Sequence, residues 1–202
     1  MTFKTLLGAA ALFASLATTS SASVMVNVWE DGDDVYAFAV GSLDLSGADA
    51  TYGAGGAPLF TQQNFQLGED GVGASLDAYQ FDFAAGPASF GPGYNLTSAT
   101  SGTVTEFGMT FGAAAGGNTI VYIESGYTFG TVFSSNAFFE NRTLSGMNLN
   151  VGTYVFNFPS DMITVEIGAA PVDPSPVPLP AAGLLSLLGL GALRLAGRKR
   201  KG

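Results

Sequence analysis

The sequence predicts an all-β central domain, an antiparallel β-sandwich or jelly roll, over residues 23–170. Apolar and polar residues alternate there with a period of two, and glycine-rich turns separate the alternating segments. No apolar stripe recurs at the helical period of 3.6 residues. About eight to ten short strands of this kind, each with one apolar face, are expected to pack as two sheets.

Eight segments carry the alternation most clearly, and each is predicted to be a strand. In the second of them, Tyr36, Phe38 and Val40 share one apolar face. The stretches 47–56 and 84–93 are rich in glycine and small residues and are predicted to be long surface loops. The eight predicted strands are 24–29, 35–40, 77–83, 105–111, 119–124, 127–133, 153–158 and 162–167.

Two residue types that dominate enzyme and metal sites are missing from the chain. It contains no Cys and no His, so there is no disulfide, no thiol nucleophile, and no imidazole base or metal ligand. Paired carboxylates can hydrolyse glycosides, but no Asp or Glu pair stands out here. A serine nucleophile lacks its usual histidine, and no glycine-rich phosphate loop precedes a helix. The sequence therefore predicts a protein that is not an enzyme and has no cofactor.

The charged residues are distributed very unevenly. All 16 acidic residues lie between Glu30 and Asp173, and the only cation in that stretch is Arg142. We expect Arg142 to pair with a local carboxylate such as Glu140. A surface of this sign repels nucleic acid and suits cationic partners, divalent cations or simple solubility.

Residues 1–22 have the three parts of a secretory signal peptide. Lys4 provides the positive start, 6–17 form an apolar run, and small residues precede a cleavage site between Ala22 and Ser23. The run is too short to cross a hydrocarbon core of about 30 Å as a helix. We therefore expect a signal helix that directs the chain to the Sec translocon and is removed by signal peptidase.

The C-terminal region has three consecutive parts. Residues 171–180 form a proline-rich spacer, 181–196 a hydrophobic helix, and 197–202 a basic tail. The helix reaches the roughly 20 residues of a membrane span only if Arg194 extends its guanidinium towards the headgroups. By the positive-inside rule, the basic residues predict a cytoplasmic C-terminus with the acidic domain outside. They are Arg194, Arg198, Lys199, Arg200 and Lys201.

The end of the spacer carries a family resemblance. Val177, Pro178, Leu179, Pro180 and Ala181, followed by the Leu- and Gly-rich helix and the basic tail, resemble the VPLPA variant of the PEP-CTERM sorting signal. The segments 41–47, 122–133 and 163–168 also resemble the ectodomains found with such tails, although more loosely.

This resemblance implies recognition by an exosortase-type transpeptidase, with the helix and basic tail removed after export. The precursor would sit in the inner membrane with its N-terminus outside. The mature domain would lie in the periplasm, at the cell surface or in the extracellular matrix, with exopolysaccharide as a candidate partner. An ordinary single-pass anchor with a chance proline motif is the alternative.

The densest acidic cluster surrounds Gly32. The carboxylates of Glu30, Asp31, Asp33 and Asp34 are possible oxygen ligands for Ca²⁺. Their spacing does not match an EF-hand loop, which places ligands out to position 12. The other interpretation is a solvated hairpin turn between the first two strands.

Two functional hypotheses follow from these observations. The first is an exported, non-enzymatic surface or matrix protein that is processed at its C-terminal sorting signal. The second is a secreted carbohydrate- or Ca²⁺-binding module. Its site would be the acidic turns or aromatic residues that stack on sugar rings, and these candidates are Tyr52, Phe60, Phe90 and Tyr94.

Overall fold

The structure, a computed structural model, describes residues 23–68, 75–82, 86–103 and 105–171. These residues form strands and one short 3-10 helix, Gly112–Ala115, which confirms the all-β class. The signal helix and the C-terminal helix that the sequence predicts lie outside them. No helix within the described residues has the length and apolar character to cross a membrane. The strands are β1 (Ser23–Asp31), β2 (Asp34–Gly41), β3 (Ala50–Ala54), β4 (Leu59–Phe60), β5 (Asn64–Leu67), β6 (Leu76–Phe81), β7 (Thr97–Ser98), β8 (Ser101–Gly102), β9 (Phe107–Phe111), β10 (Thr119–Glu124), β11 (Phe133–Phe139), β12 (Gly152–Asn157) and β13 (Met162–Ile167).

The strands belong to two sheets. Sheet A has the order β12-β13-β1-β2-β11-β8, and sheet B has the order β3-β6-β10-β9-β5-β4-β7. The pairings among the described strands are antiparallel except for β1 with β13, which is parallel and sets Ser23 opposite Met162. The predicted antiparallel arrangement therefore holds for the described pairings other than this one. β13 pairs with the edge of β1 that β2 does not occupy. Many residues separate β1 from β13, so the connection is long enough for the two strands to run parallel, which a tight hairpin would not allow.

Aromatic rings from both sheets meet in one core. The ring centroid of Phe111 in β9 lies 4.7 Å from that of Phe156 in β12. Phe107 of β9 is 5.0 Å from Phe133 of β11 by the same measure. Such pairs each contribute about 0.5–1.5 kcal/mol beyond their buried area. The described body is therefore β-sandwich-like, with its two inner faces held together mainly by phenylalanine.

The predicted aromatic face of β2 points away from this core. Tyr36, Phe38 and Val40 do share one face, but the buried residues of β2 are the alternate ones, Val35, Ala37 and Ala39. Small side chains there leave room for the phenylalanine rings of sheet B. On the outer face, Tyr36 instead stacks against Trp29, with ring centroids 5.5 Å apart and planes 18° apart.

The strand predicted over 127–133 is displaced in the structure. Turns occupy 125–132, and β11 starts only at Phe133. The Tyr127 hydroxyl accepts a hydrogen bond from the Leu43 amide (2.9 Å) and donates one to the Thr131 carbonyl (2.5 Å), which fixes the turn. The Tyr127 side chain thus ties its own turn to the segment after β2, and the residues around it do not form a strand.

The predicted loop 47–56 also needs correction, because it contains edge strand β3. Its residues are mostly exposed, so no apolar alternation marks it in the sequence. The described part of the second predicted loop, 86–93, contains no strand. Phe83, which was predicted to end a strand, lies outside the described residues.

Candidate functional site

The acidic cluster around Gly32 is the turn of the β1–β2 hairpin. Asp31 pairs with Asp34 across a two-residue turn of Gly32 and Asp33. Gly32 has φ 66°, a left-handed value that glycine adopts without steric cost. The hairpin interpretation of this cluster is therefore confirmed.

Two of the four carboxylates in this turn bind main-chain groups of the loop that follows β11. The Asp34 carboxylate accepts a hydrogen bond from the Asn141 amide (2.8 Å). The Glu30 carboxylate accepts one from the Leu144 amide. Charge-assisted bonds of this kind fix a loop against a strand end. Both carboxylates therefore have a structural task in the fold.

Within the described residues, no group of three or more Asp or Glu side chains is placed to hold a metal ion. The calcium hypothesis for Glu30, Asp31, Asp33 and Asp34 stays a prediction. Arg142 is exposed and lies in the loop between β11 and β12, near Glu140 in the sequence.

The four candidate sugar-stacking aromatics divide into two pairs. Phe60 and Phe90 are fully buried in the core and cannot meet a ligand, so the hypothesis is wrong for them. Tyr52 and Tyr94 are exposed, with 43% and 75% of their surfaces accessible. Tyr94 lies in the loop before β7, whereas Tyr52 lies on edge strand β3.

The described chain starts and finishes at opposite ends of sheet A. Ser23, which follows the predicted cleavage site, is the first residue of β1, and its carbonyl accepts a hydrogen bond from the Ser42 amide (3.3 Å). Gly168 follows β13 and donates its amide proton to the Val28 carbonyl (2.7 Å). The last described residues therefore leave sheet A at the end where the β1–β2 hairpin lies. Ala22, the sorting motif and the basic cluster lie outside the described residues.

A cavity of about 460 Å³ opens at the Ser23 end of the sandwich. Two of its lining residues bind Asp77, whose carboxylate accepts hydrogen bonds from the Ser125 hydroxyl and the Gly126 amide, both at 3.1 Å. Glu124 is the charged residue in the lining. The lining residues are Thr105, Ile123, Glu124, Ser125, Gly126, Tyr127, Thr131, Val132, Phe133 and Ser134.

A buried carboxylate lies beside this cavity on the outer face of sheet B. Glu106 is only 4% exposed, and its carboxylate accepts a hydrogen bond from the Gln66 amide nitrogen (3.0 Å). The main-chain carbonyl of Glu106 accepts another hydrogen bond from the Glu124 amide (3.2 Å). Burial raises the pKa of Glu106 above the ordinary value of 4.5, the Gln66 bond opposes the rise, and the Glu124 charge adds to it. The folded protein therefore binds this proton more tightly than the unfolded chain does.

Replacing Glu106 by glutamine should stabilise the protein at neutral pH and not in acid. The free energy of unfolding of the natural chain falls as the pH rises from 4.5 towards the folded pKa of Glu106, and the loss is complete above it. Glutamine has no charge to bury and still accepts the bond from Gln66. We expect a gain on the order of 1 kcal/mol at pH 7 and none near pH 3.5. Urea unfolding of the full chain at both pH values measures it.

The matched control for this prediction is Glu140→Gln, because Glu140 is an exposed glutamate. It should change the free energy of unfolding by less than about 0.5 kcal/mol at either pH. An equal gain for Glu106→Gln at both pH values would mean that side-chain shape, not the buried charge, causes the effect.

The outer face of sheet B also brings Tyr52 together with residues that the sequence did not single out. In the register of β3, β6 and β10, Tyr52, Ala78 and Tyr122 lie side by side. Gln80 lies one row away on the same face. Aromatic rings next to amide and carboxylate groups form a surface suited to binding a polar ligand.

The chain was compared with protein-family models, curated proteins and solved structures, and none of them matches it.

Proposed function

We propose that this chain is an exported, non-enzymatic protein of the cell surface or extracellular matrix. An N-terminal leader directs it through the Sec translocon, and an exosortase-type transpeptidase processes it at the motif from Val177 to Ala181. The precursor is held in the inner membrane by its C-terminal helix, with the basic tail in the cytoplasm. The mature part is a jelly-roll-like acidic domain beyond that membrane.

The observation that carries this proposal is the order of segments in the sequence: a leader before residue 23, then the β-rich body, then the motif, the apolar run and the basic tail. The first strand opens at Ser23, the residue after the predicted cleavage site, and the last strand closes at Ile167, before the proline-rich spacer. Because β1 is an interior strand of sheet A, cleavage within it would disrupt the core. Processing at the two predicted sites leaves β1 and β13 whole.

Deletion of residues 177–202 should move the protein from the membrane fraction to a soluble exported fraction. The deletion removes the hydrophobic helix and the basic tail, which hold the precursor in the bilayer. Cell fractionation followed by mass measurement of each pool checks the result. A membrane-bound pool of uncut truncated chain as large as the precursor pool of the natural chain would contradict the proposal.

A second variant separates the sorting signal from an ordinary anchor. Replacing Pro178 and Pro180 by alanine alters the motif and keeps the helix and basic tail. If a transpeptidase recognises the motif, this variant should accumulate in the membrane at its uncut mass, whereas the natural chain loses its tail. If the natural chain keeps its tail as well, the single-pass anchor is the right interpretation.

A further inference from the structure

The central row on the outer face of sheet B has a regular composition. From the edge inward it reads Tyr52, Ala78, Tyr122, Gly108 and Gln66, contributed by β3, β6, β10, β9 and β5. The two tyrosines are therefore two strand spacings apart, roughly 9.5 Å. The small residues between and beside them leave space for the rings to lie across the sheet.

Burial agrees with this arrangement. Ala78 is 0% exposed although it lies outside the central core cluster, so neighbouring groups on the outer face must cover its methyl group. Burial raises the pKa of the Tyr52 hydroxyl above 10.0, and the charge of Tyr122 adds to the rise. The Tyr52 hydroxyl therefore stays a protonated donor at neutral pH.

The aromatic row of sheet A differs from this one. Trp29 and Tyr36 occupy adjacent strands, and their rings stack on one another with planes 18° apart. Tyr36 also meets Phe138, at a ring centroid distance of 5.0 Å. Ring faces that cover each other are not available to a ligand. Tyr52 is 43% exposed and Tyr122 is half-buried, so both side chains keep accessible surface for an incoming group.

Hydrogen-bonding groups border the tyrosine pair. The Gln80 amide nitrogen donates to the Asp82 carboxylate (2.8 Å), which orients the amide and leaves its oxygen as an acceptor. Glu124 is exposed at the other side of Tyr122. The β3–β4 connection closes the far end of the row, because Gly56 lies against the Gln66 amide and no side chain fits there. Ala78, Gly108 and Gln66 are buried, so the accessible part of the row is at its two tyrosines.

We infer that this face of sheet B binds an uncharged glycan, with sugar rings against Tyr52 and Tyr122 and hydroxyl groups on Gln80 and Glu124. Aromatic faces take up the apolar side of a sugar ring, and amide and carboxylate groups bind its hydroxyls. This site belongs to the folded body, so it stands whether or not the C-terminal tail is cut.

The charge of the face selects among glycans. Glu106, Glu124 and Asp82 belong to this side of sheet B, and none of its strands contains Lys or Arg. A field of this sign repels uronate-, sulfate- or phosphate-bearing chains. A neutral chain meets no such barrier.

Binding to neutral glucan and mannan hexasaccharides, with oligogalacturonate as the acidic probe, tests the inference. The full chain is used in a zwitterionic detergent that has no sugar headgroup, and titration calorimetry gives the affinity. We expect at least one neutral probe to bind and the acidic probe not to bind. Tyr52→Ala and Tyr122→Ala should each weaken binding about tenfold, because each removes one stacking surface.

The control variants use the same chemistry at other positions. Tyr94→Ala removes a more exposed tyrosine from the loop before β7 and should leave the affinity unchanged. Tyr122→Phe keeps the ring and should bind within about threefold of the natural chain. The inference fails if no neutral probe binds, if oligogalacturonate binds as well as the neutral probes, or if Tyr94→Ala weakens binding as much as Tyr52→Ala. None of these outcomes affects the fractionation test of export.

Discussion

Replacing Phe90 by alanine should lower the free energy of unfolding by about 3–5 kcal/mol. Phe90 is 0% exposed although it belongs to a loop and to neither sheet. Its ring packs between the sheets, so alanine would leave a cavity that both sheets border. The neighbouring rings, with their centroid distances, are Phe111 (4.8 Å), Tyr154 (5.0 Å), Phe60 (5.8 Å), Phe156 (6.1 Å) and Phe65 (6.3 Å).

The surroundings of Phe90 cannot easily collapse into such a cavity. Its amide donates to the Gln62 carbonyl (2.7 Å), and its carbonyl accepts from the Asn150 amide (2.8 Å), so the loop is fixed on both sides. Costs at the upper end of the range are expected where relaxation is restricted. Urea unfolding of the full chain, followed by circular dichroism, gives the value.

Tyr94→Ala is the matched control for Phe90→Ala, because it removes an aromatic ring from the same loop. Tyr94 is 75% exposed, and its loss should cost less than about 0.5 kcal/mol. Phe90→Leu should fall between the two variants, since leucine fills part of the space. If Phe90→Ala costs no more than Tyr94→Ala, Phe90 does not join the two sheets.

The sequence predicts β1, β10 and β13 well because buried and more exposed residues alternate along most of their length. β1, β10 and β13 each have one buried and one more exposed face, so a period of two marks them. The two-residue strands β4, β7 and β8 are too short to show any period. β3 is exposed on both faces, and nothing in its composition separates it from a loop.

Alternation does not show which face of β2 is buried, since both of its faces are apolar. Tyr36 and Phe38 are larger than Ala37 and Ala39, and burial of the larger pair is the natural expectation. The facing sheet decides otherwise, because its phenylalanines occupy the space. Only the packing of two sheets settles this choice, and it is a property of residues far apart in the sequence.

The candidate glycan face could not be predicted for a related reason. Tyr52 and Tyr122 are 70 residues apart in the sequence. They become neighbours because β6 lies between β3 and β10. Strand order in a sheet depends on long-range pairing, which local patterns do not encode. Tyr52 stood out in the sequence as an aromatic residue among glycines, but its partner did not.

Replacing Gln62 by leucine should cost about 2–4 kcal/mol in the free energy of unfolding. Gln62 is 1% exposed, and its amide joins two distant loops. Its side-chain nitrogen donates to the Met147 carbonyl (2.6 Å), and its side-chain oxygen accepts from the Asn95 amide (2.7 Å). Leucine is of similar size but forms neither bond, so both main-chain groups lose a partner. Urea unfolding of the full chain measures the loss.

The neighbouring glutamine shows whether these bonds or the local sequence cause the effect. Gln63 donates one bond, to the Ala88 carbonyl (2.9 Å), at a solvent-accessible position. Water can replace that partner, so Gln63→Leu should cost at most about 1 kcal/mol. Gln62→Glu adds a sharper test, because an ionised carboxylate still accepts from Asn95 but cannot donate to Met147. Protonation restores the donor, so the deficit of Gln62→Glu should shrink as the pH is lowered, whereas that of Gln62→Leu should not. Equal deficits for the two variants at every pH would assign the cost to packing alone.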